Sequence, residues 1–294
     1  MSLLLAWATA AAVRGVDIDE DRALAALTAA GITTDVVAWD DPDADWARYD
    51  RVLLRSTWDY DARSADFLAW LERVDAVSEL SNPLPMLRWN LDKHYLAELA
   101  GAGVPVVPTT FVEPGEVLRP PSGPFVVKPS VGAGSRGVQV HRGVDGAAAH
   151  VAALHATGAA ALVQPLVRSA AAGEYPLVYL GGTFSHAALR YVPQSPGEDH
   201  RSAPHRPTRA QRAVADAAVD AVRRRLGVPV YARVDLVADD DEQPLVLEVE
   251  LVEPYLFLRE GGDTAFARLV SAVLAAAARR RGDDVGRGAT PTRG

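Results

Sequence analysis

The chain has 294 residues, 49% of them hydrophobic, enough for a packed core divided among one to three domains. A net charge of −8 without any long basic run argues against a nucleic-acid footprint, and the absence of cysteine excludes disulfides, thiolate catalysis and Cys-ligated zinc. No apolar run is long enough to span a bilayer, and MSLLLAWATAAAVRGVD has no basic region ahead of its apolar stretch, so the expectation is a cytoplasmic protein bound to neither membrane nor nucleic acid.

In chain order, Leu3–Trp7 reads as a strand, and Asp19 as the cap of a helix that ends at Ala30 before Gly31. A strand at Asp35–Trp39 follows, then a helical turn from Asp41-Pro42, a strand at Arg51–Arg55 and an amphipathic helix carrying Phe67, Leu68, Trp70, Leu71 and Val74. Alternating strands and helices with short connections predict a small parallel sheet covered by helices. After Asn82-Pro83 the pattern changes to a helix near Asn90–Ala100, extended runs at Val126–Lys128 and Val138–His141, a helix over Val144–Thr157 and a short strand at Leu162–Pro165. A third portion opens with a hairpin, Tyr175–Leu180 and Thr183–Leu189 across Gly181-Gly182. Then come the loop VPQSPGEDHRSAPHRPT, a helix from Arg209 to Leu226, strands at Val230–Val237 and Pro244–Leu251, a last helix from about Asp263 to Arg280, and a polar tail expected to be disordered.

The stretch VVKPSVGAGSRGV contains a literal G-x-G-x-x-G. A dinucleotide fingerprint needs a helix after the third glycine and an acidic residue about 20 positions on. Here Val138-Gln139-Val140-His141 alternates like a strand and position 157 is Thr, so that reading fails. The G-K-[ST] of a Walker A loop is missing too. What remains is a glycine-rich hairpin between two strands, with Lys128 ending the first. Its glycines let backbone N–H groups approach phosphate oxygens, and Ser130 or Ser135 can add a hydroxyl; an ordinary hairpin explains the same residues.

Two further features sharpen this. The 30 basic residues comprise 28 arginines and two lysines, Lys93 and Lys128, in a composition where Arg fills most cationic positions. In YARVDLVADDDEQPLVLEVELVEPYLFL, Tyr231, Arg233 and Asp235 share one strand face, and Val246, Glu248 and Glu250 share one face of the next. Adjoining strands would gather Asp235, Glu248 and Glu250 beside Arg233, and a cation among them would offset the repulsion. Oxygen-only ligation suits Mg²⁺ held jointly with substrate phosphates. The plainer alternative is a half-exposed sheet with a polar face.

With these pieces in order, the chain resembles the ATP-grasp superfamily, near D-alanine–D-alanine ligase and glutathione synthetase, and more closely the bacterial group that contains O-ureido-D-serine cyclo-ligase. The resemblance is carried by VLLRSTWDY, RWNLDKHYLAELAGAGVPVVPT, FVVKPSVGAGSRGV, LVQPLV, GEYPLVYLGGTFSHAALR and ARVDLV…LVLEVELVEPYLFL, in that order. It implies an α/β (α+β) fold in three parts: an N-terminal parallel α/β domain (1–84), a central lid domain (85–165) and a C-terminal catalytic domain with an antiparallel sheet (166–282), before a tail at 283–294. It also implies an enzyme that joins an amino-acid-like carboxylate to an amine, using ATP with one or two Mg²⁺ or Mn²⁺, and is compatible with a homodimer.

Residue by residue, the resemblance puts Lys93 and Lys128 on the nucleotide, the backbone of Leu162–Gln164 on the adenine edge, and Glu174 on the ribose hydroxyls. The loop from Ser130 to Gly137, with Gly134 and Ser135, would fold over the phosphates. Asp235, Glu248 and Glu250 would ligate the metal, with Arg190 and Arg233 clamping the transferred phosphate or acyl-phosphate. Glu250 stands where many relatives carry Asn, which makes this site more anionic. The loop GEDHRSAPHRPT lacks the paired glycines of close relatives, which leaves the roles of Arg201 and His205 open.

For the substrate, Ser56, Trp58, Asp59 and Tyr60 follow a strand at the carboxyl end of a parallel sheet, where ligands bind. Asp59 could hold an ammonium group between aromatic walls, and Glu253 could face the same pocket; an inter-domain packing cluster is the competing reading. His186 follows Ser185 without a G-x-S-x-G elbow, so it reads first as a packed residue. The functional alternatives are a ring-closing ligase of the O-ureido-D-serine type, forming D-cycloserine, and a nucleotide-binding regulator without turnover.

Overall fold

The computed structural model describes residues 3–132, 134, 136–191 and 201–287. Its first part contains β1 (Leu4–Thr9), α1 (Glu20–Ala29), β2 (Thr33–Ala38), β3 (Arg51–Ser56), α2 (Ser64–Asp75) and β4 (Glu79–Ser81). The strands form a parallel sheet in the order β2-β1-β3-β4. All of β3 is buried, as expected of a strand covered on both faces. Leu5, Trp7 and Leu53 pack toward α1, whereas Ala6, Ala8, Val52 and Leu54 pack with Phe67, Trp70, Leu71 and Val74 of α2. Asp19 precedes α1 without capping it; its carboxylate accepts from the backbone N–H of Leu258 at 2.8 Å instead.

The second part contains α3 (Leu84–Leu91), α4 (Tyr95–Gly101), β5 (Thr110–Val112), β6 (Phe125–Pro129), β7 (Gln139–His141), α5 (Val144–Ala156) and β8 (Ala161–Pro165). Its antiparallel sheet runs β5-β8-β6-β7, with Val112, Phe125, Val127, Ala147, Val151 and Val163 in the core. One helix was expected near Asn90–Ala100, but the structure has two. Asp92 is extended (φ −108°, ψ 126°), and the Lys93 N–H donates to the Ser130 carbonyl at 2.8 Å. A contact across the chain breaks a helix that local propensity would have continued.

The third part contains β9 (Tyr175–Leu180), β10 (Thr183–Tyr191), β11 (Arg201–His205), α6 (Arg209–Leu226), β12 (Tyr231–Ala238), β13 (Pro244–Glu250) and α7 (Leu258–Arg287). Its antiparallel sheet runs β11-β10-β9-β12-β13. Residues 201–205 were expected in a loop; they pair with Ala187–Tyr191 and satisfy the edge of β10. Thr208 and Gln211 form a reciprocal capping box that starts α6. A non-helical Gly262 (φ 64°, ψ −165°) divides the last helical stretch, so a short helical turn precedes the helix expected from about Asp263, which runs on to Arg287. Among the described residues no helix is long and apolar enough to cross a membrane.

Candidate active site

The site is built on the register of β12 and β13. Arg233 lies opposite Glu250 and Asp235 opposite Glu248, so the four charged side chains share one face. β13 is an edge strand, and its outer edge is held by groups from the second part. Asn90 donates to the Val249 carbonyl (2.7 Å) and accepts from the Leu251 N–H (2.6 Å), while the Tyr95 hydroxyl accepts from the Val249 N–H (3.0 Å). Pro105 and Val107 exchange backbone bonds with Val246. Asn82 ties the start of β12 to the segment after β13, donating to the Tyr231 and Leu251 carbonyls and accepting from the Val230 N–H. None of Asn82, Asn90 or Tyr95 was singled out from sequence; polar side chains in apolar helical stretches were the available signal.

The cations among the carboxylates are the chain's own. Arg233 is buried and chelates Asp235 (Nε–Oδ1 2.7 Å, NH2–Oδ2 2.8 Å), pairs with Glu250 and donates to the Tyr255 carbonyl at 3.0 Å. Lys93 reaches Glu248 at 2.9 Å and the Gly132 carbonyl at 2.8 Å. Among the described residues no three carboxylate or imidazole side chains stand as a ready metal cage, because these two cations lie between the acids. The donor set itself, three carboxylates with hard oxygens, fits Mg²⁺.

Charge balance differs sharply along this face. Burial would raise the Glu248 carboxyl, but Lys93 and Lys128 hold it down at about 2. Burial pushes Glu250 up to about 7, with Arg233 opposing and Asp235 and Glu248 adding to the rise. Lys128, near the end of β6, is buried; its backbone pairs with Leu162, but its ammonium has no hydrogen-bond or ion-pair partner among the described residues. Burial lowers its pKa, and Lys93 adds to that while Glu248 opposes it. An unpartnered buried ammonium beside a second one favours an incoming anion.

Around this centre, Glu174 pairs with Arg190, which also approaches Asp235 at 3.5 Å. Leu162 and Val163 lie between β5 and β6, so the ladder uses their backbone groups and neither is open to an adenine edge. Gln164 has a strand partner only in Val126, and its side chain donates to Thr109 at 2.9 Å. The Ser130 hydroxyl faces Asp92 at 3.5 Å, rooting the glycine loop rather than capping it. Gly137 has φ +71°, and a Cβ there would meet Pro129 at 3.1 Å, so glycine is required. Gly134 also has φ > 0, while Ser135 lies outside the described residues.

The segment after β3 is more committed than its sequence suggests. Ser56 is buried and donates to Thr9 at 2.7 Å, so its hydroxyl is not available to a substrate. Asp59 accepts from the Trp39 indole (2.9 Å) and pairs with Arg63, which turns it toward the first part rather than toward an ammonium group. Tyr60 stacks on Phe67 at 4.8 Å. Trp58 donates to the Glu253 carbonyl at 3.0 Å and meets Tyr255 edge-on. Burial, then Glu250, push the Glu253 carboxyl up to about 8. His186 is buried, with Nε2 at 2.8 Å from the Leu256 carbonyl and Nδ1 at 2.9 Å from Ser185, the pattern of a packed histidine. His205 bonds Gln211 and packs at a tilt against Tyr175, and Arg201 lies over Tyr191.

The sequence is 40% identical over 296 residues to the cycloserine biosynthesis protein DcsG of Streptomyces lavendulae, covering 91% of this chain and 98% of that protein. The chain belongs to the DcsG family. The family model described as "D-cycloserine synthetase DcsG, N-terminal domain" matches residues 5–82. A crystal structure of D-cycloserine synthetase DcsG superposes with a TM-score of 0.87 at 38% identity, covering 93% of this chain and 99% of that one. D-alanine–D-alanine ligase from Bacillus anthracis complexed with ATP gives a TM-score of 0.69 at 16% identity (97% and 99% covered), a likeness of fold alone. The ATP-grasp ligase PsnB with Mg and ADP gives 0.60 at 18% identity (94% and 99% covered). The DcsG-family chain thus has the fold of that D-cycloserine synthetase structure, and it shares that fold with the two ligases.

Proposed function

We propose that this DcsG-family chain activates the carboxylate of an amino-acid-like substrate with ATP and closes a ring on it, as its relative's name suggests for cycloserine. The observation that carries the reading is Lys93 bound to Glu248, with the Lys128 ammonium, unpartnered among the described residues, held in the same field. Two ammonium groups interleaved with three carboxylates fit a metal-bound triphosphate. Asp235, Glu248 and Glu250 are the residues that would hold Mg²⁺, as one ion or two. When bound, Mg²⁺ supplies neutralisation of phosphate charge.

The chain's own part is positioning and charge. Lys93 and Lys128 hold the phosphates in line with the substrate carboxylate. That carboxylate attacks the γ-phosphorus, giving an acyl-phosphate and ADP. Arg233 and Arg190, already aligned by Asp235 and Glu174, offset the charge that builds on the transferred group. A nitrogen of the same molecule then attacks the acyl carbon, the C–N bond forms, and phosphate leaves. Trp58 and Glu253, joined by the bond from the Trp58 indole to the Glu253 carbonyl, are the residues that would contact that molecule. The parts 1–84, 85–165 and 166–282 serve as domains in this reading, in the cytoplasm, as a homodimer and without nucleic acid or membrane.

An acceptor screen that reads phosphate release, followed by product mass, tests this. ADP should form only with a carboxylate acceptor, with O-ureido-D-serine among the active compounds and a product lighter than its substrate. A product equal to two substrates minus water would replace ring closure with linear ligation. AMP release without acceptor would contradict the scheme.

A further inference from the structure

The glycine loop contains one charged side chain, Arg136. It leaves the loop and reaches the first part of the molecule, where Nε and NH2 each bond one oxygen of the Asp61 carboxylate and NH2 also donates to the Trp58 carbonyl at 2.6 Å. Asp61 is only 9% exposed in its side chain, so its charge is largely stripped of water and Arg136 is its counter-charge. Trp58, in turn, is fixed to the Glu253 carbonyl of the third part. At its other end the loop is held by Lys93, through the Gly132 carbonyl and the Ser130 carbonyl.

We propose that Arg136 is a positioning residue: its clamp on Asp61 and Trp58 fixes the glycine loop against the segment that flanks the substrate pocket, so that nucleotide and substrate sites assemble together. The proposal rests on the nucleotide reading of the loop given above. A run of small residues has no side-chain packing to choose one conformation, and glycine makes the alternatives more numerous. A bidentate guanidinium–carboxylate pair supplies the missing restraint with a fixed geometry. Because Arg136 acts through Asp61, removing either should cost the same, and removing both should cost no more.

The experiment is a double-mutant cycle on Mg-AMPPNP affinity, by titration calorimetry, for the full chain, Arg136→Ala, Asp61→Ala and the pair. Each single variant should weaken binding about tenfold, and the double variant also about tenfold rather than hundredfold. Arg136→Ala strands the largely buried Asp61 charge and should lower the unfolding temperature, which the double variant should restore, so binding is compared below all four unfolding temperatures. Arg136→Lys should recover only part of the lost affinity, because an ammonium cannot reproduce the fork. Independent, multiplying losses would overturn the proposal. So would weakened binding in Arg136→Ala with Asp61→Ala silent, which would put Arg136 directly on the phosphates. A parent that fails to bind Mg-AMPPNP would refute the nucleotide reading itself, a result distinct from a silent cycle.

Discussion

Arg55 and Lys128 are both buried cations, and their surroundings assign them different work. Arg55 is fully buried between the rings of Trp7 (5.5 Å) and Tyr231 (5.7 Å), with Asp17 at 3.8 Å and none of its guanidinium nitrogens hydrogen-bonded among the described residues. Asp17 is buried too, so Asp17→Ala leaves an uncompensated charge and should cost about 3 kcal/mol in chemical denaturation. Asp17→Ala/Arg55→Met should return to within about 1 kcal/mol of the parent, since an apolar side chain of similar length removes the stranded charge. A double variant no better than the single would show that the ring contacts, rather than the charge, carry Arg55. At this scale the sequence was most legible where charge stands out against context: two lysines among arginines, and acids alternating along an apolar strand. Partnerships such as Arg136 with Asp61, 75 residues apart, leave no local trace.

The outer edge of strand β13 shows how contacts can serve a site without touching a ligand. Its carboxylates face the centre, and its outer edge is occupied by Asn90, Tyr95 and the Pro105–Val107 backbone. Asn90→Ala would leave a buried carbonyl and a buried N–H unpaired, a loss of about 3 kcal/mol. It should also raise the KM for Mg-ATP more than it lowers kcat, because Glu248 and Glu250 would lose a fixed register; unchanged KM with reduced stability would limit Asn90 to a structural part. Strand periodicity made β12, β13 and the shared face of their charges readable in advance. The break between α3 and α4 and the strand at Arg201–His205 were not, since each exists only through a distant partner: the Ser130 carbonyl in one case, the open edge of β10 in the other.

Across the whole molecule, three sheets meet at one charged centre, and each contributes a different component. The parallel sheet presents Trp58 and Asp61 beyond β3, the second sheet contributes Lys128 and the glycine loop, and the third supplies the acids and Arg233. Chain order and the alternation of elements were enough to read a parallel sheet first and antiparallel hairpins after it. The inter-sheet ties through Asn82 and Arg136 were not, because nothing periodic marks them. The central claim is that the Lys128 ammonium, buried and without a partner among the described residues, is held there to receive phosphate. Thermal unfolding of the parent and of Lys128→Met, each with and without Mg-ATP, tests it most directly. The parent should gain roughly 5 °C at a hundred times Kd. Lys128→Met should unfold at or above the parent's temperature without nucleotide, having lost a costly buried charge, and should lose most of the Mg-ATP gain. A Lys128→Met variant that keeps the full gain would contradict the account.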